Sequence, residues 1–179
     1  PFHEGCIHRT TDGGIIWKDL SNDSLFTPYF YEIYFSDTLY GWAAGKSIYK
    51  TSDGGENWVN QIDEPGPGTL YSISFSDSLN GWAAGGITNG STGYSTRYIL
   101  HTNDGGNNWE EQNIPVSNAE LRSVYFINSE DGWIVGKNKS TADDIILYTT
   151  DGGNTWTSYT GMPWSSSNRY SVNTVHFIN

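Results

Sequence analysis

Cysteine is almost missing from this 179-residue chain: Cys6 stands alone, so no internal disulfide staples the fold. Basic residues are scarce as well. Nine Lys and Arg face twenty Asp and Glu, giving a formal charge of -11, and a field of that sign repels phosphate backbones and anionic lipid. Nucleic-acid binding and docking on a membrane surface are therefore disfavoured. No apolar run approaches the ~20 residues that span a bilayer, which argues against membrane insertion by a helix. Helix-forming stretches of Ala, Leu, Glu and Lys are short, and almost no helix is expected. The chain starts at Pro1 with neither Met nor a signal-like segment, so it reads as a mature or excised piece whose targeting information is missing.

What is present points to one architecture. Twenty-one Gly, eight Trp and twelve Tyr describe short strands joined by tight turns. One pattern, Thr-x-Asp-Gly-Gly-x-x-Trp, occurs four times, at Thr10 to Trp17, Thr51 to Trp58, Thr102 to Trp109 and Thr149 to Trp156. Between these boxes lies an alternating run ending in Phe35, Phe75, Phe126 or Phe177. A Gly-Trp segment follows it, as Gly41 to Gly45, Gly81 to Gly85 and Gly132 to Gly136. A third apolar stretch enters each box, as Ile48-Tyr49-Lys50 and Ile146-Leu147-Tyr148 show.

Each unit thus reads as four short antiparallel strands: the Phe run, the Gly-Trp strand, the strand before the box and the strand after its Trp. Such a sheet cannot bury both faces alone, and copies at this spacing are the signature of propeller blades. The fold class is all-β, a β-propeller with four blade-equivalents in one domain over residues 1–179. The units are 29–68, 69–119, 120–170 and a split blade made of 1–28 with 171–179. Aligned on the repeat, the chain opens at a second strand and closes after a first strand. A closed four-bladed ring and a stretch of a larger propeller both satisfy that alignment.

The box resembles the Asp-box (BNR) hairpin, and with the Gly-Trp strand the chain is similar to Asp-box propellers of the Ycf48-like and sortilin-like type. The resemblance implies that Asp12, Asp53, Asp104 and Asp151, with Trp17, Trp58, Trp109 and Trp156, are structural. Physics gives the same role: the carboxylate accepts backbone N–H groups across a tight turn, the Gly pair supplies positive φ, and Trp packs over the hairpin. One carboxylate per box is too few oxygen ligands for calcium, so no metal is expected. A role in photosystem assembly is a further implication, although that family is expected to carry a basic Arg-rich patch and this chain is acidic.

Loop lengths separate two rims. From Phe to the next Trp is 7 residues in each of three units, and the box never changes length. On the opposite rim, the connection from the Gly-Trp strand to the box runs 6, 17 and 13 residues, and box Trp to Phe runs 18, 17, 17 and 21. A rigid scaffold tolerates variation where ligands are met, so the candidate binding residues are Tyr94, Arg97, Tyr98, Asp143, Asp144, Trp164, Arg169 and Tyr170.

Catalytic chemistry finds little support. A glycosidase needs two carboxylates ~5 to 9.5 Å apart, and neighbours such as Asp143 and Asp144 point in different directions on an extended chain. Asp63 and Glu64 share that rim. Sialidases carry an Arg-Ile-Pro motif that this chain lacks. Cys6 has nothing nearby to lower its pKa, and His8 and His101 read as aromatic fillers in the third-strand slot of Tyr49 and Tyr148. No catalytic residue and no cofactor are assigned. The expectation is a non-catalytic binding or scaffold module, extracellular, cell-surface or periplasmic, with a protein or glycan partner and scope for self-association. The alternatives are a fragment of an Asp-box glycoside hydrolase and a subunit of a surface fibre.

Overall fold

The computed structural model describes residues 6–20, 29–62, 68–88, 95–159 and 172–177. Those residues form fourteen strands and no helix. The first unit holds β1 (His8–Arg9) and β2 (Lys18–Asp19), which pair with each other. Three four-stranded antiparallel sheets follow in sequence order. The first blade is β3 (Phe30–Phe35), β4 (Gly41–Gly45), β5 (Ile48–Thr51) and β6 (Val59–Asn60). The second is β7 (Thr69–Phe75), β8 (Gly81–Thr88), β9 (Ser95–Thr102) and β10 (Glu110–Glu111). The third is β11 (Ala119–Phe126), β12 (Asp131–Asn138), β13 (Asp144–Thr150) and β14 (Thr157–Ser158). These are the four strands per unit that the repeat implies, and the sheets stack as propeller blades.

Blades join through aromatic pairs. Trp42 of the first blade stacks on Phe75 of the second with centroids 3.8 Å apart, and its indole donates to the Gly105 carbonyl at 3.1 Å. Trp82 repeats the joint on Phe126 and Gly152. Ala43, Ala44, Ala83 and Ala84 are fully buried, so the small residues of β4 and β8 let neighbouring sheets approach closely. The first strands bridge the blades as well. Ser72 Oγ accepts from Val124 N at 3.0 Å, and Glu32 Oε2 accepts from Ile73 N at 2.6 Å. These contacts converge on β3, β7 and β11, which are therefore the innermost strands.

The segment 172–177 continues this order without being a regular strand. Phe177 lies on Trp133 at 4.2 Å, and Val175 N donates to Ser123 Oγ at 3.4 Å. It occupies, beside β11, the position that β11 occupies beside β7. At the other end, Arg9 Nη1 donates to the Gly54 carbonyl at 2.7 Å, seating the first unit on the first blade.

One detail of the sequence reading needs correction. His8 and His101 do not share one slot. Counted back from the box Thr, His8 matches Tyr49 while His101 matches Tyr148, one residue later, and alternation sends the two positions to opposite faces. His101 pairs with Trp82 across the sheet and stacks on its ring at 4.8 Å, whereas His8 sits opposite Asp19.

Candidate functional site

The boxes account for one rim. In the second box, Asp53 Oδ1 accepts from Thr51 Oγ1 at 2.8 Å and Asn57 N at 2.9 Å, while Oδ2 accepts from Asn57 Nδ2 at 2.8 Å. These bonds hold the Asp53 carboxyl down at about 2, the Asn57 side chain contributing most, and Asp104 is held at about 2 by Asn108 in the same way. Asp151 is lowered by Thr155 and Asp12 by the Ile16 and Thr10 bonds. Both glycines of every box have positive φ. Gly54 N, Gly105 N and Gly152 N then donate to the carbonyls of Leu39, Leu79 and Glu130 in the short turns between the first and second strands. The Asp and Thr side chains thus close each hairpin on itself, and the first Gly ties the second, third and fourth to the turn beside it.

The opposite rim differs because each innermost strand opens with a β-bulge. Register shifts fall between Phe30 and Glu32, Leu70 and Ser72, and Leu121 and Ser123, leaving Tyr31, Tyr71 and Arg122 as the extra residues. A bulge turns the unpaired residue out of the ladder. These three occupy the same place in successive blades, and Asn173 is their counterpart in 172–177. They meet side by side. Tyr31 and Tyr71 pack edge to face at 5.0 Å, and Arg122 Nη1 donates to Asn173 Oδ1. Glu120 anchors the polar half, its Oε1 accepting from Arg122 Nε at 2.9 Å and its Oε2 from Lys139 Nζ. Burial pushes the Glu120 carboxyl upward, but Lys139 and Arg122 outweigh it and leave the group below its usual range. Burial raises the Tyr71 phenol, with the Glu120 charge adding to the shift and Arg122 opposing it.

The residues expected from sequence scatter around this row. Arg97 is half-buried in β9 and donates through Nη2 to the Ile114 carbonyl at 3.3 Å; its buried Nε has no partner among the described residues. It ties down the connection after β10. Tyr98 packs on the core cluster of Trp42, Leu70 and Phe75. Asp143 is exposed at the β12–β13 hairpin, and Asp144 Oδ1 accepts from Val172 N at 3.3 Å. No hydrogen bond or ion pair among the described residues joins Arg97 or Tyr98 to Asp143 or Asp144. Tyr94, Trp164, Arg169 and Tyr170, like Asp63 and Glu64, lie outside the described residues. Tyr31, Tyr71, Glu120, Arg122, Lys139 and Asn173 were not singled out from sequence. A signal was there: Leu70 and Ile73, like Leu121 and Val124, are buried apolar residues three apart where strict alternation gives two.

Several solved structures share this architecture. YCF48 bound to a D1 peptide matches at a TM-score of 0.56 and 22% identity over 72% of this chain and 38% of that one. YCF48 from Cyanidioschyzon merolae matches at 0.54 and 25%, over 72% of this chain and 36% of that one. A GH74 xyloglucanase from Xanthomonas campestris reaches 0.67 over 89% of this chain and 27% of its own, at 13% identity, and shares the fold alone. The chain thus spans little more than a third of the length of the YCF48 structures it matches. No curated protein matches it. The family described as photosynthesis system II assembly factor YCF48 matches residues 67–163, more than half of the chain. A photosystem assembly factor does not work on the cell surface, so the expected extracellular or cell-surface location is corrected, while a periplasmic or lumenal one is compatible. The aromatic joints, the four boxes and this match together establish that the chain belongs to the YCF48 family of Asp-box propellers.

Proposed function

We propose that this chain is a non-catalytic, protein-binding assembly module that receives an extended peptide segment across the innermost-strand bulges, on the rim opposite the boxes. The observation that carries the reading is the row Tyr31, Tyr71, Arg122 and Asn173: aromatic edges for apolar side chains beside a guanidinium and an amide for peptide carbonyls and carboxylates. Only two of the five guanidinium donors are engaged by described partners, Nε by Glu120 and Nη1 by Asn173. Support comes also from the relative that holds a D1 peptide, which favours a protein over a glycan partner. By sequence, the long connections carrying Tyr94 and Trp164, Arg169 and Tyr170 lead into the same rim, and the proposal includes them with Asp143.

Calorimetric titration with a D1 peptide tests the reading. The wild-type chain is expected to bind, and a Tyr71→Ala, Arg122→Ala double variant to bind at least about tenfold more weakly. Ile15→Asn, an exposed change on the box rim, is expected to leave affinity unchanged. No binding by the wild type, or equal binding by the double variant, would overturn it.

A further inference from the structure

The first box departs from the other three at one position. Four residues after the Asp, the second and third boxes have Asn57 and Asn108, and the fourth has Thr155. Each gives its side-chain donor to the second oxygen of the carboxylate, at 2.8, 2.6 and 2.6 Å. The first box has Ile16 there, whose side chain has no donor to give. Asp12 Oδ1 still accepts from Thr10 Oγ1, Ile15 N and Ile16 N, so the hairpin closes as the others do. Its Oδ2 accepts no hydrogen bond among the described residues.

Asp12 lines a cavity of about 250 Å³ between the first and second boxes, together with Arg9, Thr11, Ile16, Lys18 and Glu56. Both walls are internal to the chain and are tied to each other. Arg9 Nη1 donates to Gly54 O, and Lys18 Nζ pairs with Glu56 Oε2. These bonds leave Glu56 Oε1 and the Nε and Nη2 groups of Arg9 without a partner among the described residues. The equivalent positions at the next joint are Lys50, Ser52, Asp53, Asn57, Val59 and Asn107, which carry one cation and one carboxylate, the latter satisfied by Asn57. A cavity with two charges of each sign and an open carboxylate oxygen is therefore peculiar to the first joint.

We infer that this cavity is a binding site for a small α-amino acid in its zwitterionic form, with a short apolar side chain. The ligand's ammonium takes Asp12 Oδ2 and Glu56 Oε1, and its carboxylate takes the remaining N–H groups of Arg9, whose planar fork suits a carboxylate. Ile16 supplies the apolar wall. The four charged side chains sum to zero, so a simple anion leaves the acceptors unmet and a simple cation leaves the donors unmet. A zwitterion meets both. The cavity falls below the roughly 300 to 1,000 Å³ of sites that hold drug-sized molecules, which restricts the ligand to a small one. A molecule bound there adds a second tie between the first unit and the first blade, beside the bond from Arg9 to Gly54. The site lies away from the bulge row and does not rest on the peptide reading.

An NMR titration with L-valine reads this directly, with isovalerate and isobutylamine as the same skeleton lacking the ammonium or the carboxylate. The wild type is expected to show saturable shifts at the amides of 12–16 and 54–56 with L-valine, and to need at least about tenfold more of either analogue. Ile16→Asn installs the partner that the second and third boxes have. It is expected to keep the fold, to lower the Asp12 pKa further and to weaken L-valine binding at least about tenfold. Glu56→Gln, at an exposed site, is expected to weaken it severalfold. The Tyr71→Ala, Arg122→Ala variant is expected to bind L-valine as the wild type does, which separates this site from the peptide rim. Shifts that do not saturate, equal binding of either analogue, or unchanged affinity in Ile16→Asn would overturn the inference.

Discussion

Trp82 lies flat on Phe126, ring centroids 3.4 Å apart and planes 6° from parallel, while its indole N–H donates to the Gly152 carbonyl at 3.1 Å. One side chain thus fills the space between two blades and clasps the box of the second. Trp82→Ala is expected to cost about 3 to 5 kcal/mol, because it opens a cavity at a fully buried site. Trp82→Phe is expected to cost much less, since Gly152 O also accepts from Gln112 Nε2 at 3.0 Å. Chemical denaturation of the two variants against the wild type checks both.

Acid tests the boxes. Asp53 and Asp104 titrate at about 2 in the folded chain, against about 3.9 when unfolded. The depressed value means that their stabilisation is complete above about pH 4 and is lost as the pH falls through 2. Melting temperature is expected to drop across that window. Asn57→Ala removes the largest cause of the Asp53 shift, so it is expected to raise that carboxyl's pKa toward the ordinary value and to flatten its share of the pH dependence. Carboxyl titration followed by NMR would show the change at Asp53 while Asp104 stays put.

Gly85 is required by close approach rather than by backbone dihedral. A Cβ there would stand 2.0 Å from the Thr69 carbonyl and 2.7 Å from Leu70 Cα, both backbone atoms at the mouth of the bulge. Gly85→Ala must displace the start of β7, and is expected to cost about 3 kcal/mol or more and to disturb the Tyr71 position. A thermal melt measures the first effect, and the Tyr71 ring resonances report the second.

The repeat made most of this fold legible before any coordinates. Box, Phe run and Gly-Trp strand each mark one piece of a blade, and Gly54 N donating to Leu39 O confirms that the short turn and the box share a rim. The site was less legible. An alternation count assumes one residue per ladder step, so the extra residue at Tyr31, Tyr71 or Arg122 hides inside a strand that otherwise looks regular. The histidines were misplaced for a related reason: one residue of slippage changes the face, and only the pairing of His101 with Trp82 fixes it. The bond from Arg97 to the Ile114 carbonyl was not legible, because its acceptor is a backbone atom 17 residues away that no side-chain pattern reveals. The cell-surface reading had no residue motif behind it, and the family match is what corrects it.

The claim that unites this account is that one rim is structural and the other receives the partner. Hydrogen exchange with and without a D1 peptide tests it most directly. Protection is expected at the starts of β7 and β11, over Thr69–Ser72 and Ala119–Ser123, with the amides of boxes 51–58 and 102–109 unchanged. Protection confined to the boxes, with the bulged strand starts exchanging as before, would contradict it.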